Sequence, residues 1–145
     1  MWKWLKGPDI AKLDFGNPVT TTFVSLCVYD HVAGTPRLIM SVKAPPAAAC
    51  AGGPCWKDKK TGFRFKDKDK VFDGLWALTL RAGVVGKAKI TLKAKGAAVP
   101  LATLPLSATP QVTVQFRRDD GPACWEASYT TPVRNLVNLL KAKNF

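Results

Sequence analysis

The cysteines carry the most decided chemistry in this chain. There are four, an even count: Cys27, Cys50, Cys55 and Cys124. Cys50 and Cys55 flank Ala51-Gly52-Gly53-Pro54, a segment able to turn tightly, whereas Cys27 and Cys124 lie in apolar, strand-like stretches. Of the possible connectivities, the spacing favours a local Cys50–Cys55 staple and a long-range Cys27–Cys124 bridge, which implies an oxidising compartment. A zinc site needs converging ligands, usually in two close pairs. Only one close pair exists, and the single histidine, His31, is near neither member. The expectation is two disulfides and no metal.

Catalytic patterns are weak. Nucleophilic catalysis asks for Ser, Cys or Thr beside an oriented base. Asp30, next to His31, points to the other side of a strand, and no Gly-x-Ser-x-Gly elbow occurs. His31 therefore reads as a loop residue. Glu126, the lone glutamate, shares strand parity with Cys124 and Ser128. On a core side it would be an acid of raised pKa; an edge or solvent position is the commoner fate. Asp67, Asp69 and Asp73 before Gly74 faintly resemble a calcium loop, but Lys68 and Lys70 intervene and no closing Glu follows. They read as a charged turn. No catalytic residue and no cofactor is expected.

The cations are denser. Lys57, Lys59, Lys60, Arg64, Lys66, Lys68 and Lys70 fall in one stretch, interleaved with Trp56, Phe63 and Phe65; Lys87, Lys89, Lys93 and Lys95 fall in another. Aromatic faces among cations suit single-stranded nucleic acid or sugars. A charged strand face equally guards a sheet against aggregation, and the shared parity of Phe63 and Phe65 suits a core. The candidate binding residues are Lys57, Lys59, Lys60, Arg64, Lys87, Lys89, Lys93 and Lys95. Lys and Arg outnumber acids 22 to 10, for a net charge of +12. That excess steers the chain toward an anionic polymer, either acidic polysaccharide or nucleic acid, or toward a cell surface. Trp2 and Trp4 share a strand face; exposed, they would form a carbohydrate-stacking platform, although burial of large aromatics is commoner. Trp56 and Trp125 each follow a cysteine and are expected to pack on the disulfides, and Trp76 follows a turn.

The elements that must position these residues read as strands. Thr20 to Tyr29 is rich in β-branched and aromatic residues. Asp30 to Pro36 is turn-like, and Arg37 to Val42 completes a hairpin. From Lys87 to Lys95, Lys and Thr alternate with Ala88, Ile90, Leu92 and Ala94, the pattern of a strand with one face on a core. Gly62 to Lys66, Leu75 to Arg81, Val112 to Phe116 and Ala123 to Thr130 are further strands. Pro100, Pro105 and Pro110 punctuate an extended connection. Pro132 to Lys143 is compatible with a helical turn or an irregular one.

Several segments, in order, resemble an uncharacterised domain family of exported bacterial proteins. They are Trp2, Trp4 and Gly7 as Trp-x-Trp-x-x-Gly; Leu26-Cys27-Val28-Tyr29-Asp30; Pro54-Cys55-Trp56-Lys57; Gly86-Lys87-Ala88-Lys89-Ile90; and Cys124-Trp125-Glu126-Ala127. The resemblance spans nearly the whole chain and includes all four cysteines. It implies a disulfide-containing β-rich fold and an extracytoplasmic location, with no established activity. The chain departs from the family at Arg117-Arg118-Asp119-Asp120 and at Ala97-Ala98, which bears on any binding role of those loops.

A chain of 145 residues, 47% hydrophobic, fits one domain over 1–145. No apolar run reaches transmembrane length. The start, Met1-Trp2-Lys3-Trp4, lacks the apolar core of a signal peptide, so export implies a signal already removed. The expected fold is all-β: an antiparallel β-sandwich of about seven to nine strands, inferred from the turn spacing. The expected function is that of a non-catalytic secreted accessory or adhesion module contacting an anionic polymer or cell surface. The alternatives are a secreted hydrolase acting on a polysaccharide and a structural subunit assembling through strand edges.

Overall fold

The computed structural model describes residues 1–100, 111–130, 134–136 and 139–141. Among these the fold is all-β, with every strand pair antiparallel and a single short 3-10 turn at Lys12–Phe15. The first sheet has five strands. They are β1 (Trp2–Trp4), β6 (Trp56–Lys59), β7 (Gly62–Lys66), β8 (Leu75–Arg81) and β9 (Lys89–Ala94), in the order β1-β9-β8-β7-β6. The second has four, β2 (Val24–Val32), β3 (Thr35–Ala44), β10 (Val112–Arg118) and β11 (Cys124–Tyr129), in the order β11-β10-β2-β3. Two small hairpins accompany them: β4 (Ala49–Cys50) with β5 (Gly53–Pro54), and β12 (Arg134–Leu136) with β13 (Leu139–Lys141).

Period-2 patterning builds both sheets, because alternate side chains leave a strand on opposite faces. In the first sheet one row runs Trp56, Phe65, Leu78, Leu92 and Trp2 across directly paired positions, and all are buried. In the second, Leu26, Phe116 and Trp125 form the corresponding row. These rows belong to one hydrophobic cluster shared by the two sheets. Within it Trp2 Nε1 donates to the Tyr129 hydroxyl at 3.1 Å, which ties β1 to β11. Burial pushes the Tyr129 hydroxyl pKa up, and the Trp2 bond offsets part of that rise.

The predicted inward set Ala88, Ile90 and Leu92 is buried, at 0%, 0% and 4% exposure; Ala94 is half-buried near the strand end. Phe63 and Phe65 also face the core. Trp2 is buried and Trp4 half-buried against Gly7, so this pair forms no exposed platform. The ring lies so close that an added Cβ on Gly7 would meet it at 2.0 Å.

Four expectations change. Cys50 and Cys55 are bridged, with Cα atoms 5.1 Å apart, but Cys27 and Cys124 are free thiols. Cys27 pairs with Gln115 and Cys124 with Arg117, so β10 stands between them. Strands two apart in a sheet are separated by about 9–10 Å, beyond the roughly 7 Å that a disulfide's Cα atoms span. Trp125 accordingly packs on Phe15 and Phe116, with ring centroids at 5.1 and 5.9 Å, and covers no second disulfide. The turn expected over 30–36 is shorter. Ala33 and Gly34 take φ of 50° and 80°, the two-residue turn whose twist matches its strands, so β2 continues through Asp30 and His31. The segment 132–143, compatible by sequence with a helical or an irregular turn, forms the β12–β13 pair where described, which satisfies backbone groups by ladder pairing. The rest of that segment and residues 101–110 of the proline-punctuated connection lie outside the described residues.

Candidate functional site

The outward face of the five-stranded sheet carries a chemistry that no single segment displays. Directly paired residues share a face, so the registers assign its rows. One row runs Lys57, Arg64, Thr79, Thr91 and Lys3; a second runs Lys59, Gly62, Arg81 and Lys89; a third runs Lys66, Ala77 and Lys93. None of these residues is acidic. Neighbouring rows and strands set the cations on a lattice of about 4.8 by 6.8 Å. Lys57 opposite Arg64, and Arg81 opposite Lys89, are like charges in direct cross-strand register, an arrangement that destabilises a sheet. The one glycine in the lattice is required by close approach: a Cβ on Gly62 would lie 1.9 Å from the Leu80 carbonyl oxygen.

Two local irregularities give this face relief. The first is a β-bulge between Leu75 and Ala77, where two residues of β8 oppose one of β9. The extra residue, Trp76, is half-buried on the basic face. Three ammonium groups lie over its ring, Lys95 at 4.3 Å, Lys93 at 5.4 Å and Lys66 at 5.8 Å from the centroid. The second is the β4–β5 hairpin, closed by the Cys50–Cys55 disulfide. It stands beside the β6–β7 edge and leaves an open groove of about 470 Å³. Residues 50–55 form one wall; Lys57, Lys59, Arg64, Lys66 and Lys68 form the other, with Asp69 as the single acid. The buried Asp67 fixes the rim, accepting hydrogen bonds from the Asp69 and Val71 backbone amides at 2.9 and 2.7 Å. Asp73 is engaged elsewhere, by the Lys43 amide at 3.0 Å.

The structure thus joins the two sequence clusters. Lys57, Lys59 and Arg64 meet Lys89 and Lys93 on one face, and Lys95, just past β9, reaches it over Trp76. Lys60 and Lys87 sit in turns outside these registers. Lys3, Arg81 and Trp76 complete the face without having been singled out by the sequence. The available signal was the alternation of Trp2-Lys3-Trp4 and Leu78-Thr79-Leu80-Arg81.

The remaining candidates lie on the other sheet. His31 Nε2 is 3.0 Å from the Thr113 hydroxyl, which is 3.1 Å from the Ser128 hydroxyl. His31 is therefore a strand residue and not a loop residue, because the short turn extends β2 past it. Glu126 is exposed and accepts a 2.7 Å bond from Gln115 Nε2, on the same flat face. Asp30, nearly buried, is held by Arg37 through bonds of 3.0 and 2.5 Å, which keep its carboxyl pKa below the ordinary value despite burial.

No family model matches the chain, and no curated protein or solved structure is significantly similar to it.

Proposed function

We propose that this protein is a non-catalytic binding module that holds an anionic polymer on the outward face of its five-stranded sheet. The observation that carries the reading is the acid-free lattice of Lys and Arg built from β1, β6, β7, β8 and β9. Opposed like charges cost stability, and a polyanion lying across them removes that cost while releasing its own counterions. Edge assembly through the five-stranded sheet is disfavoured because its edge strand β6 presents Lys57, Asp58 and Lys59, and its other edge strand, β1, is only three residues long. A hydrolase reading is disfavoured because Glu126 and the groove lie on different sheets, and Asp69 is the groove's single acid. The same proposal takes residues 1–145 as one β-sandwich of the exported family that the sequence resembles. The shared core and the Cys50–Cys55 disulfide support it.

The test is titration with heparin and with single-stranded DNA at several salt concentrations. One variant changes Lys57, Arg64, Lys89 and Lys93 to Gln; a second, of equal net charge, changes Lys6, Lys43, Lys60 and Lys87. The face variant is expected to lower the slope of log affinity against log salt by about three. The control is expected to retain most of it. Equal losses from both variants would reduce the lysines to a general solubility feature.

A further inference from the structure

We infer that the groove under the disulfide hairpin and the neighbouring Trp76 ring form a subsite for an acidic sugar unit, making the polymer an acidic polysaccharide. This rests on the binding role proposed above and names its ligand. The groove's volume, about 470 Å³, falls in the range of about 300–1,000 Å³ that encloses small organic ligands. Its walls differ. The hairpin side, residues 50–55, brings no charged side chain, whereas the β6–β7 side brings four cations, Lys57, Lys59, Arg64 and Lys66. A carboxylate or sulfate fits the second wall, and the uncharged body of a ring fits the first.

Lys66 links this groove to the tryptophan. It lines the groove and also lies 5.8 Å over the Trp76 ring. An anion in the groove and a ring on Trp76 are thus one residue apart, as neighbouring units of one chain require. Trp76 lies among Lys93 and Lys95 as well, so a ring stacked there has cations around it to meet its acidic substituents. Thr79 and Thr91 add hydroxyls between the cations of the longest row, partners suited to sugar hydroxyls.

Other polyanions fit less well. Single-stranded nucleic acid is held by successive bases stacking on several aromatics. Here Trp2, Trp56, Phe63 and Phe65 all turn inward, leaving Trp76 as the one aromatic ring on the basic face among the described residues. Duplex DNA is read by a helix or β-ribbon entering a groove, and this face is the broad side of a sheet. A bilayer surface would contact the lysine lattice and leave the recessed groove unused.

The experiment uses the full chain with its disulfide intact. A heparin-derived hexasaccharide, a thymidine oligonucleotide of equal charge and vesicles of phosphatidylglycerol with phosphatidylcholine are each titrated by calorimetry and tryptophan fluorescence. The hexasaccharide is expected to bind tightest and to change the fluorescence. Trp76→Ala should weaken it about tenfold with the salt slope retained, and Trp76→Phe should restore most of the loss. Lys66→Ala should weaken it and reduce the slope by about one. Circular dichroism identifies a variant that fails to fold, in which case Trp76→Phe and Lys66→Ala carry the test. Stronger binding of the oligonucleotide or the vesicles overturns the polysaccharide assignment. Hexasaccharide binding that ignores Trp76 and Lys66 but falls with Lys3, Arg81 and Lys89 overturns the subsite and leaves the binding face standing. Absence of binding to all three probes overturns both.

Discussion

The two sheets use one core and opposite surface chemistries. The outward face of the four-stranded sheet pairs several of its polar groups with one another, His31 with Thr113, Thr113 with Ser128, and Gln115 with Glu126, and carries Arg117 and Lys43 at one end of its registers. At its margin Asp120 accepts from the Thr22 hydroxyl and from Arg118 Nε, both at 2.6 Å, and these bonds hold its carboxyl pKa below the ordinary value. The outward face of the five-stranded sheet lines up cations without a single acid in its registers. The cations that do find carboxylates sit off that face, as Lys12 does with Asp58 and Arg37 with Asp30. A surface that satisfies itself serves the fold. One that accumulates like charge opposite like charge costs the fold stability, and the polyanion proposed above would remove that cost.

The sharpest break in this comparison lies within one strand. Ile90 is fully buried, while its neighbour Lys89 belongs to the basic face. Ile90→Asp should destabilise the protein by about 3–5 kcal/mol in urea unfolding, since it buries an unpaired charge. Lys89→Asp should stay within about 0.5 kcal/mol. Equal effects would dissolve the distinction between the two sides of the sheet.

A smaller effect separates paired from unpaired cations. The Asp30 side chain is 3% exposed and its partner Arg37 is 61% exposed. Because Asp30 titrates below its ordinary value of 3.8, its stabilising contribution is present above that pH and is lost as pH falls through the lowered pKa. Arg37→Ala should destabilise the protein near neutral pH, because it leaves the buried Asp30 carboxylate without its two charge-assisted hydrogen bonds. It should also move acid unfolding to higher pH, because the carboxyl loses the bonds that lower its pKa. Acid unfolding at an unchanged pH would show that the pair contributes nothing.

The smallest effects have opposite signs on the two faces. Thr113→Val breaks the His31–Thr113–Ser128 chain and should cost about 1 kcal/mol without changing heparin affinity. Lys57→Gln removes the repulsion with Arg64 and should stabilise the free protein by roughly 0.5 kcal/mol while weakening heparin binding. Thermal melts with and without heparin read both quantities. A destabilised Lys57→Gln variant would contradict the account of the basic face as a site that trades stability for binding.

Much of the strand content was legible because alternation is local. Leu, Ile, Phe and Val at every second position identify strands and their inward sides, as at 88–92 and 112–116. The Cys50–Cys55 staple was equally local, being set by a five-residue separation around Gly-Gly-Pro. The failures were non-local. Nothing near Cys27 or Cys124 in sequence reveals that β10 is inserted between their strands, since sheet order depends on which distant edges pair. For the same reason 57–66 and 87–95 read as separate clusters. Only the antiparallel pairing of β7 with β8, β8 with β9 and β9 with β1 fuses them, adds Arg81 and Lys3, and sets Trp76 among three lysines through a bulge. Sequence alone determined which side of the clearly alternating strands faces water, as at 88–92, because a period of two depends only on backbone geometry. Tertiary structure decided which faces lie together, because strand order is fixed by long-range hydrogen bonding and by the packing of one shared core.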